Sequence, residues 1–358
     1  MLHLYVCANT YSIKYTSKTD QHTIFCIFSQ DMFYLLSILI IYTYSMQLFS
    51  PALFLKNGHI QTIYPFIFRK KKTISYTQRI RINTPDNDFL DIDFVDSQSD
   101  SLVLILHGLE SHSYAMNIMH LVHALKSHKT DIAVLNFRGC SGETNNVYKA
   151  YHSGISEDLI TTIDYLISTQ KWKSISVIGY SLGGNVLLKT IGEYPTIQIK
   201  KAIAVSVPMH LESCALLLAK PSRKPYMKRF IYSFIKKMAL KKTFLDERGI
   251  DFTIIKRVKN FTDIDSLYTA PSHGYKSAQE YWEHNSSLYR LEFIVIPTLI
   301  INAKDDPFLS ELCFPSISNT YISTLYPNHG GHLGFADTYL NHGAYWHEQI
   351  ICSFLFDS

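Results

Sequence analysis

The stretch from Ser174 to Asn185 reads Ser-Ile-Ser-Val-Ile-Gly-Tyr-Ser-Leu-Gly-Gly-Asn, and it constrains the fold more than any other. A β-branched run, Ile175 to Ile178, ends in Gly179-Tyr180-Ser181-Leu182-Gly183, and Asn185 to Lys189 continues as a helix pattern. A strand that passes through G-x-S-x-G into a helix must turn sharply at the serine. Side chains two positions before and after the serine would collide in that turn, so Gly179 and Gly183 have a steric reason to be glycine. Ser181 is thereby raised above the sheet edge beside a helix N-terminus, where a nucleophile is expected. A strand-turn-helix can also carry a serine without chemistry, so the rest of the chain must supply its partners.

An acid should follow a later strand, a histidine the last strand, and an oxyanion donor an earlier one. Ile296 to Ala303 reads as a buried strand and runs into Lys304-Asp305-Asp306-Pro307-Phe308. Both Asp305 and Asp306 are placed to serve, and the other would cap the turn. Tyr321 to Tyr326 reads as the final strand, followed by Asn328-His329-Gly330-Gly331-His332-Leu333-Gly334-Phe335. His332 and His329 both lie in this glycine-rich loop. Upstream, Leu102 to Leu106 is a continuous apolar strand ending in His107-Gly108-Leu109-Glu110. The backbone N–H groups of Leu109 and Leu182 are the expected oxyanion donors. His107 is assigned a structural role.

Six ordered segments together resemble the α/β-hydrolase family that includes the bacterial YheT-like hydrolases and the eukaryotic ABHD1/2/3-type lipases. They are Asn57 to Pro65, His107 to Glu110, Asn136 to Glu143, Gly179 to Asn185, Asn302 to Phe308 and His329 to Phe335. The resemblance runs from about residue 46 to the C-terminus. It implies the order Ser181, Asp306, His332 for the catalytic residues. Asp306, with Phe308 two positions on, matches the family offset better than Asp305, and His332 better than His329. Neither the N-G-H-x-Q-T stretch nor the N-F-R-G-C-S-G-E loop supplies a triad member. Ser111-His112 replaces glycine common in the family and bears on the shape of the oxyanion loop.

The expected fold is α/β, a mostly parallel eight-stranded sheet with helices on both faces and a helical lid insertion at about 208–292. Strands are expected near 76–83, 90–95, 102–107, 132–136, 174–179, 202–206, 297–302 and 320–326. Helices are expected near 115–127, 156–169, 184–193 and 344–356. The first strands should be antiparallel, since only a short turn such as Pro85 to Asp88 joins them. The insertion carries a basic run from Lys220 to Lys237 interleaved with Phe230, Tyr232 and Phe234. It reads either as a cap that admits acyl chains and touches anionic headgroups or as a solvated helix packed by its aromatic face. Tyr281-Trp282 are expected to line a pocket.

This pattern points to a serine carboxylic-ester hydrolase acting on short- to medium-chain or lipid esters. An acyltransferase with an alcohol acceptor and a non-catalytic binding protein are the alternatives. No metal or organic cofactor is expected. A net charge of +4 does not argue for nucleic acid. The six cysteines, at 7, 26, 140, 214, 313 and 352, show no C-x-x-C pair and fit reduced, buried thiols. Residues 1–45 form an N-terminal extension, and 46–358 form the hydrolase domain. Met32 to Phe49 is uncharged and at the lower limit for a membrane span. It is either an anchor or part of an extension preceding a start at Met46, the preferred reading, which places the protein in the cytoplasm. Membrane contact is expected through the lid or the N-terminus, and the oligomeric state is open.

Overall fold

The computed structural model describes residues 2–7, 10–15, 24–28, 49–339 and 343–357. The apolar run at 32–49 lies, except for Phe49, outside the described residues, so its reading as anchor or extension is not addressed. Two compact units are present, 1–48 and 49–357. In the first, β1 (Leu2–Cys7), β2 (Thr10–Tyr15) and β3 (Ile24–Phe28) pair antiparallel in that order. No helix among the described residues is long and apolar enough to cross a membrane.

The second unit is built on eight strands: β4 (Gln78–Asn83), β5 (Phe89–Val95), β6 (Ser101–Leu106), β7 (Asp131–Asn136), β8 (Ser174–Tyr180), β9 (Lys201–Val205), β10 (Thr298–Ile301) and β11 (Ile322–Leu325). Their spatial order is β11-β10-β9-β8-β6-β7-β5-β4. Pairings from β7 to β11 through β6 are parallel, whereas β5 runs antiparallel to both β4 and β7. Parallel strands lie between two helix layers and are buried on both faces, so they read as unbroken apolar runs rather than alternating ones. β6 and β7 show this directly, with nearly every residue buried.

Two apolar layers sandwich the sheet. On one face α3 (Ser156–Ser168) and α4 (Leu182–Glu193) pack against Leu104, Leu106, Val177 and Ala204. On the other, α2 (Met116–Leu125) and the C-terminal α8 (Trp346–Phe356) cover Ile105, Val134, Ile203 and Ile301. Between β9 and β10 the chain is largely helical, with α5 (Leu211–Leu218), α6 (Lys224–Leu240) and α7 (Ala278–Asn285), the last two separated by a run of short helical turns over 242–272.

One helix was not among the expected elements. The Asn57 motif forms α1 (Gly58–Phe68), capped by Asn57, whose side chain accepts from His59 N and Ile60 N. This helix is inside out: Gln61 and Thr62 are buried, whereas Ile60, Ile63, Phe66 and Ile67 are exposed. Arg69 follows it and forms a buried ion pair with Glu348 of α8 at 2.6 Å.

Candidate active site

β8 delivers Ser181 to the carboxyl edge of the sheet, and α4 starts immediately after it. Ser181 has φ 53° and ψ −117°, a backbone region that L-residues avoid at a cost of about 1–3 kcal/mol. Hydrogen bonds hold it there: Ser181 N–H donates to Val205 O at 2.8 Å, and Ser181 O accepts from Gly184 N at 2.9 Å. A Cβ at Gly183 would stand 2.5 Å from Leu106 O, so a side chain at that position would push the elbow off β6. Asn185, one turn into α4, is wholly buried. Its amide donates to Ser153 O and Asn285 O and accepts from Ser287 N–H, tying the end of the insertion to the elbow helix.

The structure brings Ser181, His332 and Asp306 into one hydrogen-bonded line. His332 Nε2 lies 3.0 Å from Ser181 Oγ, and Nδ1 lies 2.8 Å from Asp306 Oδ2. A carboxylate on Nδ1 fixes the proton there and leaves the Nε2 lone pair facing the serine hydroxyl. The other Asp306 oxygen accepts from Phe308 N–H at 2.8 Å, which sets the carboxylate plane. The Phe308 ring stacks on the His332 imidazole at 4.2 Å. Asp305 points elsewhere: Oδ1 accepts from Gly331 N–H at 2.9 Å, and Oδ2 lies 3.4 Å from His329 Nδ1. Burial pushes the Asp305 carboxyl above its ordinary value. His329 and Asp305 thus brace the loop that carries His332.

That loop is also held by residues the motif reading left without a role. His332 N–H donates to Thr62 Oγ1 at 2.9 Å, and Leu333 N–H donates to Ser206 Oγ at 3.0 Å. Gln61 exchanges two hydrogen bonds with the Ala336 backbone, N–H to Oε1 and Nε2 to O, both 2.9 Å. The N-G-H-x-Q-T motif therefore turns its polar side onto the histidine loop. The recurrence of that motif was the one available signal for Gln61 and Thr62; nothing in the sequence singles out Ser206.

Beside the serine, Gly108 comes so close that a Cβ there would lie 3.2 Å from Ser181 Cβ. Among the described residues, no acceptor takes the backbone N–H of Leu109 or Leu182. His107 is buried and pins this loop: Nδ1 donates to Gly108 O, and Nε2 accepts from Phe137 N–H. Burial lowers its pKa to about 3, so it is neutral. Glu110, at φ 54°, donates its N–H to Tyr151 OH, and its carboxylate accepts from that hydroxyl and from Lys237 Nζ of α6 at 2.9 Å. Ser111 and His112 are accommodated by a turn closed by Ser111 N–H on Gly108 O.

The insertion roofs this site. Phe234, Met238, Tyr268, Tyr281 and Trp282 line a cavity whose floor holds Ser181 and His332. Its free space is about 1110 Å³, with the solvent at its mouth included. The basic run of the insertion is divided between solvent and interior. Lys237 pairs with Glu110, and Lys241 is buried, donating to Val147 O at 2.6 Å, with burial lowering its pKa to about 8. The described cysteines, 140, 214, 313 and 352, are free thiols. Cys214 and Cys313 are both buried, their sulfurs 3.4 Å apart.

The chain is similar to several known proteins. Residues 97–312 match the family model described as serine aminopeptidase, S33. The YheT protein of Escherichia coli (strain K12), which carries an esterase name, is 33% identical over 317 residues, spanning 86% of this chain and 92% of that one. Human monoacylglycerol lipase ABHD2 is 29% identical over 317 residues, covering 80% of this chain and 73% of its own. The solved structure of the Pyrococcus furiosus esterase Pf2001 superposes with a TM-score of 0.55 at 17% identity, over 80% of this chain and 97% of that one. The chain belongs to the α/β-hydrolase family, among its esterase- and lipase-type serine hydrolases.

Proposed function

We propose that this protein is a carboxylic-ester hydrolase that works through an acyl-enzyme on Ser181, with short- to medium-chain or lipid esters as substrates. The observation that carries the reading is His332 suspended between Ser181 and Asp306, at 3.0 and 2.8 Å, beneath an apolar cavity. His332 takes the Ser181 proton as the oxygen attacks the ester carbonyl. Asp306 holds the tautomer and stabilises the imidazolium. The N–H groups of Leu109 and Leu182 receive the negative charge that develops on the carbonyl oxygen; one such donor is typically worth about 3 kcal/mol. His332 then protonates the leaving alcohol, and water releases the acyl group by the same steps in reverse.

The cavity wall supports an acyl chain rather than a peptide as the occupant, being aromatic and aliphatic. The relative named monoacylglycerol lipase supports a lipid-like ester. In this reading 208–292 is the lid of a domain spanning 46–358, residues 1–45 precede it, and the free thiols support a reducing, cytoplasmic setting.

The test is hydrolysis of p-nitrophenyl esters from acetate to palmitate by the protein and by Ser181→Ala, with fluorophosphonate labelling. Chain-length-dependent turnover, abolished in the variant together with labelling, is the expected result. A folded protein with neither turnover nor labelling of Ser181 overturns the reading. Adding an alcohol and analysing the products separates hydrolysis from acyl transfer.

A further inference from the structure

Helix α1 presents its apolar residues to solvent. Ile60, Ile63 and Ile67 form one stripe along it, with exposures of 46, 45 and 65%, and Phe66 beside them is 54% exposed. Leu53 and Phe54, just before the helix, extend this surface at 72 and 74% exposed. Isolated exposed apolar residues need no explanation, but a contiguous run that inverts the polarity of a helix does.

The surroundings of this face are basic. From Phe49 to Pro85 the sequence contains no Asp or Glu, and Lys70 and Lys71 follow the helix exposed. From Cys214 to Leu245 there is again none. There α6 adds exposed Lys224, Lys228, Arg229 and Lys236. The two helices are neighbours. His59 Nδ1 lies 3.0 Å from Tyr226 OH with the rings stacked, and the Arg229 guanidinium lies 5.9 Å from the Phe66 ring. An apolar strip rimmed by lysine and arginine matches an anionic bilayer surface, with acyl chains below and phosphates above.

We propose that the outer face of α1, with Leu53, Phe54 and the exposed basic side of α6, docks on an anionic phospholipid bilayer. The face adjoins the candidate active site. Tyr226 packs on Phe308 at 4.8 Å, and Phe308 stacks on His332. The docked surface therefore lies two ring contacts from His332. The purpose of the contact rests on the esterase reading above; the surface chemistry does not.

The experiment is co-sedimentation of the full chain with phosphatidylcholine vesicles, with and without phosphatidylglycerol, at low and high salt. Alongside it runs hydrolysis of soluble p-nitrophenyl butyrate. Binding is expected to the anionic vesicles and to weaken with salt. Phe54→Asp with Ile67→Asp, and separately Lys228→Glu with Arg229→Glu, should each weaken binding about tenfold or more while soluble-ester turnover is retained. No vesicle binding by the unaltered chain, or binding unchanged in both double variants, overturns the proposal. So does a dimer in sedimentation velocity that Phe54→Asp with Ile67→Asp dissociates, because the face then belongs to a second copy. Vesicle binding without ester turnover would refute the esterase reading and leave the docking surface standing.

Discussion

Replacing Asp306 and Asp305 separately by Asn tests the geometry of the candidate site most sharply, because the residues are adjacent and nearly isosteric changes suffice. In Asp306→Asn, the amide oxygen can still accept from Phe308 N–H, as Oδ1 does now at 2.8 Å. That leaves the amide NH₂ facing His332 Nδ1, 2.8 Å away. A donor there favours the tautomer with its proton on Nε2, aimed at Ser181 Oγ, where a lone pair is required. The wrong tautomer, without carboxylate stabilisation of the imidazolium, costs about 10⁴-fold in kcat in the type case. That is about 5.4 kcal/mol of transition-state stabilisation. In Asp305→Asn, the amide oxygen keeps the Gly331 N–H bond, and only the long 3.4 Å contact to His329 changes. Its cost should stay within about tenfold, since a long, partly exposed ion pair contributes about 0–1 kcal/mol. The assay is kcat/KM for p-nitrophenyl butyrate across pH, with thermal unfolding to establish that both variants fold. A large loss in Asp305→Asn with near-normal Asp306→Asn would refute the assignment. Comparable losses in both would refute the claim that one carboxylate orients the base.

The contacts behind the histidine loop give a second prediction. Thr62→Val removes the acceptor of His332 N–H and should lower kcat about tenfold with little change in KM. Gln61→Ala leaves a buried N–H and C=O of Ala336 unpaired and should destabilise the fold by about 2–4 kcal/mol in denaturant titration. Burial depresses the pKa of His107 to about 3 and those of His152 and His347 well below 6.5. The unfolded chain takes up these protons below pH 6.5 and the folded chain does not. Stability should therefore fall on acidification below 6.5, with His107 contributing about 1.4 kcal/mol per pH unit towards its folded value and His152 and His347 adding in the same direction. Urea midpoints flat between pH 6.5 and 5 would contradict this. Phe234→Ala enlarges the cavity wall and should shift the ratio of kcat/KM for long over short acyl esters upward by about tenfold. An unchanged ratio would place the acyl chain elsewhere.

The parallel strands of the main sheet were legible because a parallel sheet covered on both faces demands unbroken apolar segments, and β6, β9 and β10 supply them. The turn between β4 and β5 was equally plain, since a short connection can only join antiparallel neighbours. The orientation of helix α1 was hidden for a physical reason. Periodicity reads the apolar side of a helix as its buried side, and here Gln61 and Thr62 face inward while the isoleucines face out. The offset to Phe308 favoured Asp306 over Asp305, but both end the same strand, and the path of the turn decides which faces His332. The basic run of α6 looked uniform in sequence. Lys237 left it to meet Glu110, a partner 127 residues away that charge patterning cannot foresee.

The pairing of Gln61 with Ala336 spans 275 residues. At 5–20 residues per second, a ribosome takes roughly 14 to 55 s to make the second partner after the first. Throughout that interval the amide of Gln61 and the hydroxyl of Thr62 have nothing to bind in the histidine loop. A nascent chain can shape β6 and β8 around Ser181 well before His332 is made. Under the proposed function, His332 is made 151 residues after Ser181, so a product terminated between them would keep the serine and lack the proposed base.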